Sequence, residues 1–129
     1  MATPDARREP RPPYVVLDVD VTDDVVELVL LNVGQTPAHE VRVTLDPPLS
    51  ALGGQVALGD LPLFRCLGLL RPDRPIRVFV DRLSALLERK PVRFRATVGW
   101  RDDDGRAHER TFEHDLQAFR GLPSLQRRP

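Results

Sequence analysis

From Val92 to Leu116 the chain alternates in step with itself on both sides of one turn. Val92, Phe94, Ala96, Val98 and Trp100 alternate with Arg93, Arg95, Thr97, Gly99 and Arg101. After Asp102-Asp103-Asp104-Gly105, the residues His108, Arg110, Phe112, His114 and Leu116 share one face of the return segment. A period of two marks a strand with one face toward a core. Glycine closing a three-residue hairpin loop supplies the left-handed residue of a bulge. With Asp103 to Gly105 as that loop, residues whose numbers sum to 208 face each other. Ala96 then meets Phe112, Phe94 meets His114 and Trp100 meets His108, while Arg95 meets Glu113, Arg93 meets Asp115 and Thr97 meets Thr111 on the other face. Each exposed opposite-charge pair is worth roughly 0.2–1 kcal/mol, and a one-residue slip loses them and turns the apolar face outward. Charge and hydrophobicity demand the same register, so the segment is an antiparallel hairpin.

The same alternation recurs upstream. In Val26 to Leu45, Val26, Leu28 and Leu30 line one face of a strand, and Val41, Val43 and Leu45 one face of the next. Asn32, Gly34 and Pro37 break the ladder between them: Asn hydrogen-bonds locally, Gly tolerates positive φ, and Pro has no N–H. Tyr14 to Thr22 is a strand with Val15, Leu17, Val19 and Val21 inward and Asp18 and Asp20 outward. Paired carboxylates raise the question of acid–base chemistry, but on an outward face they read as a solvated edge that resists aggregation. Asp46-Pro47-Pro48 ends the third strand. Ser50 to Gly59 is a loop, with Gln55 to Leu58 as a short edge strand.

Leu61 to Leu70, LPLFRCLGLL, is the least regular apolar segment. Its density suits one or two short strands at the sandwich rim or, alternatively, a surface for a partner. Leu63, Phe64, Leu67 and Leu70 are the candidate residues for either role, rim core or protein contact. Cys66 within it reads as a small buried hydrophobe. Ile76 to Val80 is a strand with Phe79 on the face opposite Ile76, Val78 and Val80. Asp81 is positioned to cap a helix in which Leu83, Leu86 and Leu87 form one stripe, and Pro91 stops it.

The chain of 129 residues fits one domain. Met1 to Pro13, with four of the thirteen prolines, is expected to be disordered, residues 14–122 form the domain, and residues 123–129 are a frayed tail. Lys plus Arg and Asp plus Glu balance at 19 each, so no global field toward nucleic acid is expected. The exposed arginines of the last hairpin have no aromatics interleaved among them to stack bases. One cysteine excludes an internal disulfide. No apolar run reaches 18 residues and no signal peptide opens the chain, giving no membrane span and a cytoplasmic expectation, with a virion as the alternative. His108 and His114 stand six apart on a strand, about 20 Å, too far to share a metal. The aspartates before Gly105 lack the spacing of a calcium loop, and Ser50, Ser84 and Ser124 lack a nucleophile-elbow setting. The expectation is a non-enzyme without cofactor or metal.

The runs LVLLNVGQTPAHEVRVTLDPP and GWRDDDGRAHERTFEHDL resemble a family of uncharacterised proteins of actinobacteria and their phages. They also look like the immunoglobulin-like domains related to bacterial cell adhesion. The matching residues are Asn32, Gly34, Pro37 and Ala38 in one hairpin and Trp100, Asp102, Gly105, Phe112 and Asp115 in the other. The resemblance implies a fold and no activity. The expected architecture is an all-β, immunoglobulin-like antiparallel sandwich of about seven strands with one short helix. The expected function is a module for protein–protein interaction or, alternatively, a structural or decorating subunit of a larger assembly such as a phage particle, with homo-oligomerisation left open.

Overall fold

The computed structural model describes residues 9–89 and 92–122. Its strands are β1 (Val15–Thr22), β2 (Val25–Asn32), β3 (Ala38–Asp46), β4 (Ser50–Ala51), β5 (Val56–Ala57), β6 (Leu67–Leu70), β7 (Ile76–Arg82), β8 (Arg93–Arg101) and β9 (Ala107–Asp115). Two short helices, α1 (Pro62–Arg65) and α2 (Leu83–Glu88), join them. One sheet has the order β1-β2-β7 and the other β6-β3-β8-β9, with β4–β5 a small separate hairpin. All pairings are antiparallel. The chain is an all-β sandwich of three strands against four.

The core lies between the sheets and takes the inward residues of the alternating pattern. Val15, Leu17, Val19 and Val21 from β1 and Val26, Leu28 and Leu30 from β2 join Val41, Val43, Phe94, Ala96 and Val98 opposite. The β8–β9 register is the one the charges and apolar residues demand: Phe94 pairs with His114, Ala96 with Phe112 and Trp100 with His108. Gly105 has φ +79°, and its N–H donates to the Asp102 carbonyl at 2.9 Å. In β3 an extra residue at Glu40, φ +49°, shifts the register against β8. This bulge lets Ala38 and Val41, three apart, both turn inward with no exposure.

Several expectations are corrected. The first half of Leu61 to Leu70 is helix α1, because Pro62 occupies the first helical turn, where its missing N–H costs nothing. There are therefore two short α-helices among the described residues. Gly34 serves by its small size: a Cβ there would stand 2.1 Å from the Pro12 carbonyl oxygen. Within the lead expected to be disordered, residues 9–13 are described, and they are bonded to the β2–β3 loop. The Arg11 N–H donates to Gln35 Oε1 at 2.7 Å, the Gln35 N–H to the Arg11 carbonyl at 3.1 Å, and Pro13 is buried. The rest of the predicted disordered lead, residues 1–8, and the predicted tail, residues 123–129, lie outside the described residues.

Candidate functional site: the open edge of the four-stranded sheet

The two larger sheets leave four edges: β1 and β7 in one, β6 and β9 in the other. An edge strand presents unpaired amides and carbonyls to any other chain, so proteins obstruct such edges. Side chains obstruct β1. The Val19 N–H donates to Asp18 Oδ1 at 2.8 Å, and the Leu17 carbonyl oxygen lies 2.9 Å from His114 Nε2, reaching over from β9. On β7 a bulge at Val80 frees a carbonyl that accepts the Leu52 N–H at 2.9 Å, while the Asp81 carboxylate accepts the Gly53 N–H at 2.9 Å. The β4–β5 hairpin is thus tied against that edge. Charge guards β9, which carries Glu109, Arg110 and Glu113 exposed.

The β6 edge differs. Leu67-Gly68-Leu69-Leu70 carries no charge, and among the described residues no strand pairs with its outer side. Leu69 is 48% exposed, and a Cβ on Gly68 would meet nothing within 4 Å. Both ends of the strand are pinned. Asn32 Nδ2 donates to the Leu70 carbonyl at 3.1 Å, and the Cys66 N–H donates to the Pro62 carbonyl at 3.1 Å. The edge is short, apolar and held in extended form.

The four residues singled out by sequence divide here. Phe64 and Leu70 are 1% exposed and belong to the core, while Leu63 and Leu67 are half-buried and packed against it. Rim core is therefore the reading that fits Phe64 and Leu70. Gly68 and Leu69, the exposed members of the strand, were not singled out. The uncharged run Cys66 to Leu70, in a chain that is 29% charged, was the available signal. Cys66 itself is exposed rather than buried, because it follows α1 as the chain turns outward into β6.

Around β6 the acids are already engaged. Asp60 pairs with Arg65 at 3.4 Å, Asp73 with Arg71 at 3.4 Å, and Glu40 with Arg101 at 3.2 Å. Arg42 and Arg74 are exposed and their side chains have no hydrogen-bond or ion-pair partner among the described residues. Arg42 follows Val41, which pairs with Leu67 at one end of β6, and Arg74 sits in the turn just after Leu70.

The remaining titratable clusters hold structure together. At the β8–β9 turn, Asp102 Oδ2 lies 2.9 Å from His108 Nε2, and Oδ1 accepts the N–H groups of Asp104 and Arg106 at 2.9 Å. The hydrogen bond from His108 is the largest cause holding the Asp102 carboxyl below its ordinary range, with the two backbone N–H groups adding to it against some burial. His39 Nε2 lies 2.7 Å from Asp103 Oδ1 on the same turn. The His108 ring stacks on Trp100 with centroids 5.6 Å apart, and Trp100 also packs on Tyr14. Ser84 donates its hydroxyl to Asp24 at 2.8 Å at the other end of the sandwich. Among the described residues no three His, Cys, Asp or Glu side chains converge on a point that could hold a metal.

The family model for a domain of unknown function, DUF8453, matches residues 2–120. The chain belongs to DUF8453. No curated protein and no solved structure matches it. The DUF8453 match takes in both sheets and the whole of β6. No helix among the described residues of this DUF8453 chain is long and apolar enough to cross a membrane.

Proposed function

We propose that the chain is a non-enzymatic, immunoglobulin-like module that binds another protein by accepting an extended strand along the free side of β6. The strand order supports the immunoglobulin likeness. β3, β8 and β9 correspond to the C, F and G strands, with β6 at the position of C′, while β1, β2 and β7 correspond to A, B and E and β4 flanks β7. In strand addition, main-chain hydrogen bonds supply affinity and alternate side chains supply selectivity. One observation carries the reading: of the four edges of the two larger sheets, three are blocked by side chains, a hairpin or charge, and among the described residues β6 is left open with Leu69 exposed.

The test is a photocrosslinking residue substituted at Leu69, with Glu109 on the far strand of the same sheet as control, in cells producing the full chain. A discrete adduct with a different protein from position 69 and none from position 109 is expected. Equal labelling from both positions, or none from 69, overturns the proposal. An adduct from 69 to a second copy of the chain points instead to a subunit of a larger assembly.

A further inference from the structure

We infer that the segment accepted at β6 is an uncharged stretch bracketed on both sides by carboxylates. The inference rests on the reading of β6 as a docking edge and adds what its occupant carries. Strands in a sheet lie about 4.8 Å apart, so a strand added beyond β6 lies roughly 10 Å from β3. Arg42 projects from the outer face of β3, where it alternates with the buried Val41 and Val43. Between it and an added strand stand Cys66 and Gly68, and neither interposes a long side chain. At the opposite end of β6, Arg74 emerges from the Arg71–Arg74 turn. Among the described residues the acids flanking the edge, Asp60, Asp73 and Glu40, each have a cation, so the charge left along β6 itself is positive at both ends and absent from the middle. An occupant with the inverse pattern, acid–neutral–acid, completes it.

The same pattern disfavours a second copy of the chain. Pairing β6 antiparallel with another β6 brings Arg42 of one copy toward Arg74 of the other, and parallel pairing brings like residues together. Both put cation against cation.

The experiment follows backbone amide shifts of the full chain by NMR at low salt. The probes are two synthetic peptides with the same short Val/Thr core, one flanked by glutamates and the other by lysines. The glutamate-flanked peptide should move the amides of Leu67 to Leu70 and bind about tenfold more tightly than the lysine-flanked one. In the R42E/R74E variant the preference should invert, with the shifts of the β8–β9 hairpin reporting an intact fold. Equal binding of the two peptides, or no inversion, overturns the charge assignment while leaving the edge. Movement of the β6 amides by neither peptide overturns the edge reading itself. Movement with protein concentration alone identifies a second copy as occupant and overturns the inference.

Discussion

Asn32 is buried, 3% exposed, and uses its whole hydrogen-bonding capacity. Oδ1 accepts the N–H groups of Tyr14 and Gly34 at 3.2 and 3.0 Å, and Nδ2 donates to the carbonyls of Thr36 and Leu70 at 2.8 and 3.1 Å. One side chain thereby joins the entry to β1, the β2–β3 loop and the end of β6. A buried group left without its partner costs about 1–3 kcal/mol. Asn32→Asp keeps the shape but sets oxygen against two carbonyls, so a loss of about 3 kcal/mol is expected. Urea unfolding should show this as a lower midpoint at unchanged slope, and a loss under about 1 kcal/mol would contradict the account. Gly34→Ala is the second residue-scale case. Its methyl group would collide with the backbone of Pro12, so the 9–13 segment must lift. The Gln35 amide should then lose protection from hydrogen exchange, and stability should fall by about 1–3 kcal/mol. The sequence marked both residues as turn formers. The local bond from Asn32 to Gly34 was legible that way, but the bond to Leu70, 38 residues on, and the approach of Pro12 were not, because both depend on segments that only the fold brings together.

Short elements in this molecule borrow their ends from other parts of the chain. Helix α2 begins at Leu83 with no cap from its own N-cap residue, Arg82. Instead Asp24 supplies its carbonyl to the Leu83 N–H and its carboxylate to the N–H and hydroxyl of Ser84. The sequence assigned that role to Asp81, the nearest acid before the leucine stripe. The β2–β7 register sets Val25 beside Arg82, which brings Asp24 to the helix and leaves Asp81 in β7, bonded to Gly53 and Arg89. The last hairpin was readable down to its register because its pairs lie close in sequence and repeat the same message. Asp24→Ala should cost about 1 kcal/mol, as loss of an N-cap does, with faster exchange at Ser84. Asp24, Asp81 and Asp102 are all held below the ordinary value of 3.8, mainly by the hydrogen bond from Ser84, the N–H of Gly53 and the hydrogen bond from His108 respectively. Near that pH the unfolded chain binds more protons at these sites than the folded one, so stability rises with pH there. Their contribution is full above about pH 5 and is lost as pH falls through 3.8 and then through the folded-state values. Acid titration should therefore loosen the start of α2, the β4 attachment and the β8–β9 turn together. Amide signals of Ser84, Gly53 and Arg106 that stay fixed down to pH 2 would contradict this.

At the scale of the whole molecule, an open sandwich stays a discrete particle only if its edges refuse one another. The alternating strands make the sandwich legible, and the outward Asp18 and Asp20 mark β1 as a guarded edge. The guard on Leu17 was not legible, since His114 lies 97 residues away and reaches β1 only because β9 overhangs the edge of the three-stranded sheet. The division of labour predicts what happens when a guarded edge is opened. Leu69→Lys places a charge on β6, closes the open edge and gives a background for the test without touching the core. On that background, Asp18→Ala frees the Val19 N–H, and His114→Phe keeps a ring against Phe94, now 5.2 Å from the His114 ring, while removing the group that faces the Leu17 carbonyl. With adjacent donor and acceptor unanswered on the same strand, β1 regains the character of a template. The triple variant should self-associate with rising concentration in sedimentation velocity, more than either Leu69→Lys double variant, while keeping the far-ultraviolet circular dichroism of its parent. If it sediments as the Leu69→Lys chain does at every concentration, side-chain caps are not what blocks β1, and the contrast that singles out β6 loses its basis.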